Sequence, residues 1–125
     1  MRWFLFLFFL ATCAAYSNED LNFYYEIAKQ KCQDISSIRK EMDRVNEGIL
    51  KLLTERTAYV KRSGDLKSKT TKIADDRQRV ADQEKKIVDK STELGLPLEI
   101  SVPAFRAIME NSILFQQRCI DSLVK

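Results

Sequence analysis

Residues 19–63 run for forty-five positions without a proline and with one glycine, Gly48. From Ile38 onward the apolar residues fall at Met42, Val45, Ile49, Leu52, Leu53 and Val60, spacings that keep them on one side of an α-helix. Gly48 costs such a helix about 1 kcal/mol relative to alanine, too little to interrupt so strong a pattern. The spacing predicts one long helix, beginning at Glu19-Asp20 or restarting at Ser36-Ser37, where a serine side chain can cap it. It should end near Ser63-Gly64 or one turn later. Residues 68–75 are short and polar and read as a loop. Asp75 or Asp76 then caps a second helix reaching about Glu93, with Val80, Ile87 and Leu94 on one face. Gly95 and Pro97 stop it. Ser101-Val102-Pro103 opens a third helix, with proline in the first turn where it is tolerated, and this helix runs to about Leu123. The expected fold is all-α, with one long helix and two shorter ones. Three narrow apolar faces make a thin core for a chain of this length, so pairing with a second copy is expected on burial grounds alone.

The first residues follow other rules. Met1-Arg2 precedes the apolar run WFLFLFFLA and the small-residue stretch TCAAYS. A basic start, a short apolar segment and Cys13-x-Ala15 as a cleavage site read as a secretory signal peptide over residues 1–15. The segment is too short to span a bilayer, which needs about 20 residues. Residues 16–125 form the single mature domain, secreted and free of the membrane once cleaved. Cleavage removes Arg2 and no acid, lowering the net charge of +3 by one. So small a charge, without an aromatic platform, argues against nucleic acid. The chain has no histidine and three cysteines, which excludes Ser-His-Asp and Cys-His centres and leaves no recognisable metal site or cofactor motif. Cys32 and Cys119 remain after cleavage, an even pair in an oxidising compartment. They are a disulfide candidate, within one chain or between two.

The pattern is most informative where it is broken. At about 100° per residue, Arg56 points in the same direction as Ile38 and sits among Val45, Ile49 and Val60 on the apolar stripe. In the last helix Phe105, Met109, Ser112, Gln116, Cys119 and Leu123 follow helical spacing without a gap, which puts Ser112 and Gln116 among apolar neighbours. A guanidinium on such a face is expensive unless an anion meets it. Two explanations stand: Arg56 pairs with an internal Glu while Ser112 and Gln116 bond to backbone, or the three furnish a pocket for a small anion with more than one carboxylate. Lys67 and Arg79 are placed either to reach that region or to remain solvated.

The run IRKEMDRVNEGILKLLTER, a Lys eleven residues after its final Arg, Asp76-x-x-Arg79 and finally MENSILFQQ resemble the all-helical class of chorismate mutases, over roughly residues 35–120. The family signature is Arg, Arg seventeen residues on, Lys eleven further, Asp-x-x-Arg opening the next helix and Ser-x-x-x-Gln in the last. Arg39, Arg56, Lys67, Asp76, Arg79, Ser112 and Gln116 stand at those spacings. The resemblance implies a cofactor-free Claisen rearrangement of chorismate to prephenate, a step from the shikimate pathway into aromatic amino acid biosynthesis, in an intertwined helical homodimer. Arg56, assisted by Ser112, would bind one substrate carboxylate, and Arg39 would reach the other from the second subunit. Lys67 and Gln116 would donate to the breaking ether oxygen, with Asp76 and Arg79 beside the ring hydroxyl. An acceleration of about a millionfold corresponds to about 8 kcal/mol, within reach of several fixed charged donors.

One departure stands out. Many members carry Glu directly after the Arg of the second helix, where this chain has Val80. Because an amide donates without being protonated, Gln116 implies activity that does not require acid. If Arg39 crosses to the partner's pocket, Cys32 would approach Cys119 of the other chain. Secreted members are similar to tools of host-associated organisms or to bacterial periplasmic enzymes, so an extracellular or periplasmic location is expected, with a host protein partner left open. The alternative is a catalytically inactive secreted helical interaction protein on the same scaffold. A plain coiled coil fails because the repeat breaks at Gly64 and at Gly95-Pro97.

Overall fold

The computed structural model describes residues 19–125. The expected signal peptide over residues 1–15 and its cleavage site lie outside the described residues. Four helices follow: α1 (Glu19–Lys31), α2 (Ile35–Lys67), α3 (Arg77–Leu94) and α4 (Leu98–Val124). The all-α expectation holds, but the count was one short. The long first helix is broken at residues 32–34 by side chains rather than by glycine or proline. The Gln33 amide donates to the Lys29 and Gln30 carbonyls at 3.0 and 3.3 Å, closing the end of α1. Asp34 then caps α2, accepting from the Ser37 backbone N–H at 2.7 Å and the Ser37 hydroxyl at 2.8 Å. These bonds hold the Asp34 carboxyl below its usual range. The cap is therefore Asp34, not Ser36 or Ser37; Ser37 is the residue it binds.

The other boundaries sit close to expectation. α2 ends at Lys67, the later of the two expected stops. Asp76 caps α3 by accepting from the Arg79 N–H at 3.0 Å. Gly95 ends α3 at φ 71°, in the left-handed region where glycine carries no penalty. α4 starts at Leu98, a turn before the expected Ser101, so Pro103 lies inside the helix. The N–H that Pro103 lacks would have bonded the carbonyl of Glu99, an exposed residue at the solvent side of the helix start.

α4 packs against both α2 and α3, which hardly touch one another, and α1 rests on α3. Contacts advance together along α2 and α4, from Arg56–Ser112 to Val60–Gln116, so these helices run the same way. α3 runs opposite to α4, tied to it by the buried Ser91–Ser101 bond at 2.7 Å and by Arg77 on Glu110 at 2.8 and 3.2 Å. The guanidinium of Arg77 draws the Glu110 carboxyl below its usual value. Exposed pairs of this kind add little stability. The result is a cleft between α2 and α3, floored by α4.

The core is as thin as the sequence implied. Among the described residues only Ala74, Met109 and Ile120 are buried apolar residues. α4 covers the C-terminal half of α2 and leaves the rest bare: Met42, Val45 and Ile49 are 58%, 48% and 49% exposed. Among the described residues no helix is long and apolar enough to cross a membrane.

Candidate active site

Six of the seven polar residues singled out in the sequence line the cleft: Arg56, Lys67, Asp76, Arg79, Ser112 and Gln116. The cavity measures about 280 Å³, near the lower end of the range for small-molecule sites, about 300–1,000 Å³. Arg56, Lys67 and Arg79 bring three cations to it against the one carboxylate of Asp76. None of the three forms an ion pair among the described residues, although ten pairs bind other side chains. Arg56 thus has no internal Glu. One of its terminal nitrogens donates to the Ser112 hydroxyl at 2.8 Å, fixing the guanidinium over α4 and leaving its other N–H groups for a ligand.

Helical spacing accounts for most of this wall. Arg56, Val60, Ser63 and Lys67 recur every three to four residues on the last turns of α2, and Ser112 and Gln116 do the same on α4. Lys67 occupies the final turn of α2, where the negative end of the helix dipole favours a cation.

Lys67 and Gln116 are joined. Nζ of Lys67 donates to the Ala74 carbonyl at 2.9 Å and to Oε1 of Gln116 at 3.0 Å. Nε2 of Gln116 donates to the Val60 carbonyl at 2.7 Å. Gln116 is only 6% exposed, so these bonds lock its amide. An ammonium carries three donors and an amide nitrogen two. Each group therefore keeps one unspent N–H, on neighbouring atoms facing the same cavity. Gln116 thus bonds to backbone, as the first explanation has it, and also lines the cleft.

Gly64 lets α4 come this close. A Cβ there would meet Cγ of Gln116 at 3.2 Å. The loop after α2 is pinned too, with the Ala74 N–H donating to Oε1 of Gln117 at 2.8 Å and Nε2 of Gln117 donating to the Lys72 carbonyl at 3.2 Å. Sequence reading missed Gln117, which serves the loop while its neighbour serves the cleft. It also missed Tyr59, Ser63, Gln83 and Ile113 in the cleft wall. Their signal was present for Gln83, which lies one helical turn beyond Arg79.

Arg39 does not join them. It lies on α2 seventeen residues before Arg56, about 25 Å along the axis at 1.5 Å per residue, exposed on the uncovered half of the helix. Cys32 and Cys119 are both free thiols. Cys119 sits beside Gly64, whereas Cys32 precedes the first residue of α2. Nearly thirty helical residues, or about 45 Å, separate the two ends, so a bridge within one chain is excluded by geometry.

Comparison with known proteins gives the same direction. The chorismate mutase type II family matches residues 38–117. A bifunctional chorismate mutase/prephenate dehydratase of Aquifex aeolicus (strain VF5) is 31% identical over 93 residues, covering 69% of this chain and 25% of that protein. The chain thus spans about a quarter of the length of this curated relative. No solved structure matches it.

Proposed function

Since the chain belongs to the chorismate mutase type II family, we propose that the cleft rearranges chorismate to prephenate without a cofactor. The observation that carries the reading is the Lys67–Gln116 pair, held at 3.0 Å with one free N–H on each. The rearrangement needs no covalent intermediate and no proton transfer. It needs a dianion held in its compact conformer and donors aimed at the ether oxygen as its bond breaks. Arg56, with Ser112 behind it, takes one carboxylate. Lys67 and Gln116 meet the ether oxygen. Asp76 and Arg79, at the start of α3, lie beside the ring hydroxyl.

The second carboxylate requires Arg39, and Arg39 requires a second copy. What supports a homodimer is the bare stripe of Met42, Val45 and Ile49 beside Arg39 on the uncovered half of α2. Mixing Arg39→Ala and Arg56→Ala subunits tests both points. Each variant alone should be nearly inactive toward chorismate. A random mixture should regain about a quarter of wild-type activity, because half the dimers are mixed and each holds one intact site in a two-fold arrangement. A mixture as inactive as its parents would sink the crossing.

Gly64→Ala should lower kcat about tenfold by displacing Gln116 a few tenths of an ångström. The thermal midpoint should hardly move, since alanine returns up to about 1 kcal/mol of helix propensity. An unchanged kcat would mean that the close approach of α4 is idle.

The reading places the enzyme outside the producing cell's cytoplasm, with residues 1–15 removed. Support comes from the basic start, the apolar run and the small residues at the cleavage position. In an oxidising compartment, two thiols and one small-molecule disulfide exchange to give a Cys32–Cys119 bond between subunits and two small thiols. The exported protein should then begin at Tyr16 by intact mass and run as a dimer on non-reducing electrophoresis. A monomer band alone would remove the bond. The inactive alternative has one observation in its favour, Val80, which lines the cleft without a polar atom. A folded dimer that leaves chorismate untouched would select it.

A further inference from the structure

α1 precedes residues 38–117, the span that matches the family, and it carries its aromatic residues outward. Phe23, Tyr24 and Tyr25 are 61%, 66% and 60% exposed. Among the described residues their aromatic contacts stay within α1. The rings of Phe23 and Tyr24 meet edge to face at 5.5 Å, and Lys29 lies over the ring of Tyr25 at 4.9 Å. Both ends of the helix are placed. Lys31, on its last turn, donates to Glu41 of α2 at 3.0 Å. Asp20, on its first turn, lies close enough to α3 for its charge to help raise the Lys90 ammonium, after the larger effect of the bond to Glu93. The helix therefore runs from the uncovered half of α2 to the last turns of α3, across the end of the cleft beside the bare stripe.

We propose that α1 is a strap that closes over α2 of a second copy of this chain, an inference that rests on the homodimer reading above. In that dimer the partner subunit's Arg39 enters the cleft beside Arg56. The partner's α2 then lies across the opening between α2 and α3, and α1 spans the same opening from outside. The rings of α1 cover the partner's Met42, Val45 and Ile49, apolar against apolar, and two-fold symmetry makes the cover mutual. Area favours the second copy as the occupant. A stable interface buries about 800 Å² on each partner, more than three apolar side chains of this size supply. Each aromatic side chain brings about 150–250 Å² when buried, so the straps make up the shortfall.

The test compares the mature chain, residues 16–125, with a triple variant carrying Phe23→Ser, Tyr24→Ser and Tyr25→Ser. Serine ranks with phenylalanine and tyrosine in helix propensity, and the rings are exposed in the single chain, so helix content should not change. By sedimentation over a dilution series, the dimer dissociation constant should rise at least about a hundredfold, since losing one buried aromatic anchor alone costs about thirtyfold. Concentrated variant should regain the wild-type kcat, because α1 touches no reacting group. As a second measurement, Tyr24 is replaced by the photoreactive benzoylphenylalanine in a mixture of light- and heavy-isotope protein. Cross-links should join light chains to heavy ones at residues 42–49. An unchanged dissociation constant in an active dimer, or links confined to single chains, would overturn the strap and leave the chorismate reading intact. Wild-type protein that stays monomeric would overturn the homodimer and the strap together, whether or not it converts chorismate.

Discussion

Replacing Lys67 by Met should cut kcat for chorismate by a factor of about 10²–10³, the usual loss when one donor to a developing oxyanion is removed. KM should change far less. The ammonium contributes most when charge appears on the ether oxygen, so its loss raises the transition state more than the bound ground state. Methionine keeps most of the apolar stem, which limits the packing change. Lys67 also holds the Ala74 carbonyl at 2.9 Å, so loosening of the loop is a competing cause. Gln117→Leu separates them, because Gln117 holds the same loop through the Ala74 N–H at 2.8 Å and does not line the cleft. That variant should lose stability and little kcat. If Gln117→Leu reproduced the loss, the loop would be responsible and not the charge. If Lys67→Met raised KM and spared kcat, Lys67 would be a binding group only.

How much of this was legible in the sequence depends on whether a residue breaks a pattern. Arg56, Ser112 and Gln116 were visible because a guanidinium, a hydroxyl and an amide interrupt apolar stripes of helical period, and all three line the cleft. Asp76 and Gly95 announced their helix ends by residue type and position. Gln117 was not visible, and Gln83 was marked only by its spacing from Arg79. Polar residues that lie outside an apolar stripe look solvated until the loop brings α3 across from α2 and sets one amide in the wall and the other under Ala74. The break between α1 and α2 was hidden for a related reason. Residues 32–34 hold neither glycine nor proline, and the bonds of Gln33 and Asp34 that divide the helix compete with helical bonds on nearly equal terms. Pro103 misled in the other direction, marking a helix start where the helix was already a turn old.

The identity of residue 116 should set the pH dependence of the whole reaction. In the proposed mechanism an amide offers the second N–H to the ether oxygen, and no ionisation is needed for it to donate. Activity should therefore show no collapse in step with a single ionisation between pH 5 and 8. Gln116→Glu should change that. An ionised carboxylate has no proton to give, and it would place one anionic oxygen where Nε2 now stands, 2.7 Å from the Val60 carbonyl, and turn negative charge toward the ether oxygen. Only the protonated acid can replace the amide. With an ordinary glutamate value near 4.3, about one molecule in 10³ carries that proton at pH 7.3. The variant should thus be about a thousandfold slower than wild type at neutral pH. Its rate should fall tenfold for each unit of rising pH above the carboxyl's titration and recover in acid. Lys67, whose Nζ now lies 3.0 Å from Oε1, favours the ionised form, whereas the Val60 carbonyl and the burial of the site favour the neutral one. The midpoint of the acid limb measures which of these prevails. A variant with a flat profile, or a native enzyme that itself loses activity through this range, would show that residue 116 does not donate to the reacting oxygen. The paired donors would then have to be sought in Lys67 and Arg79 alone.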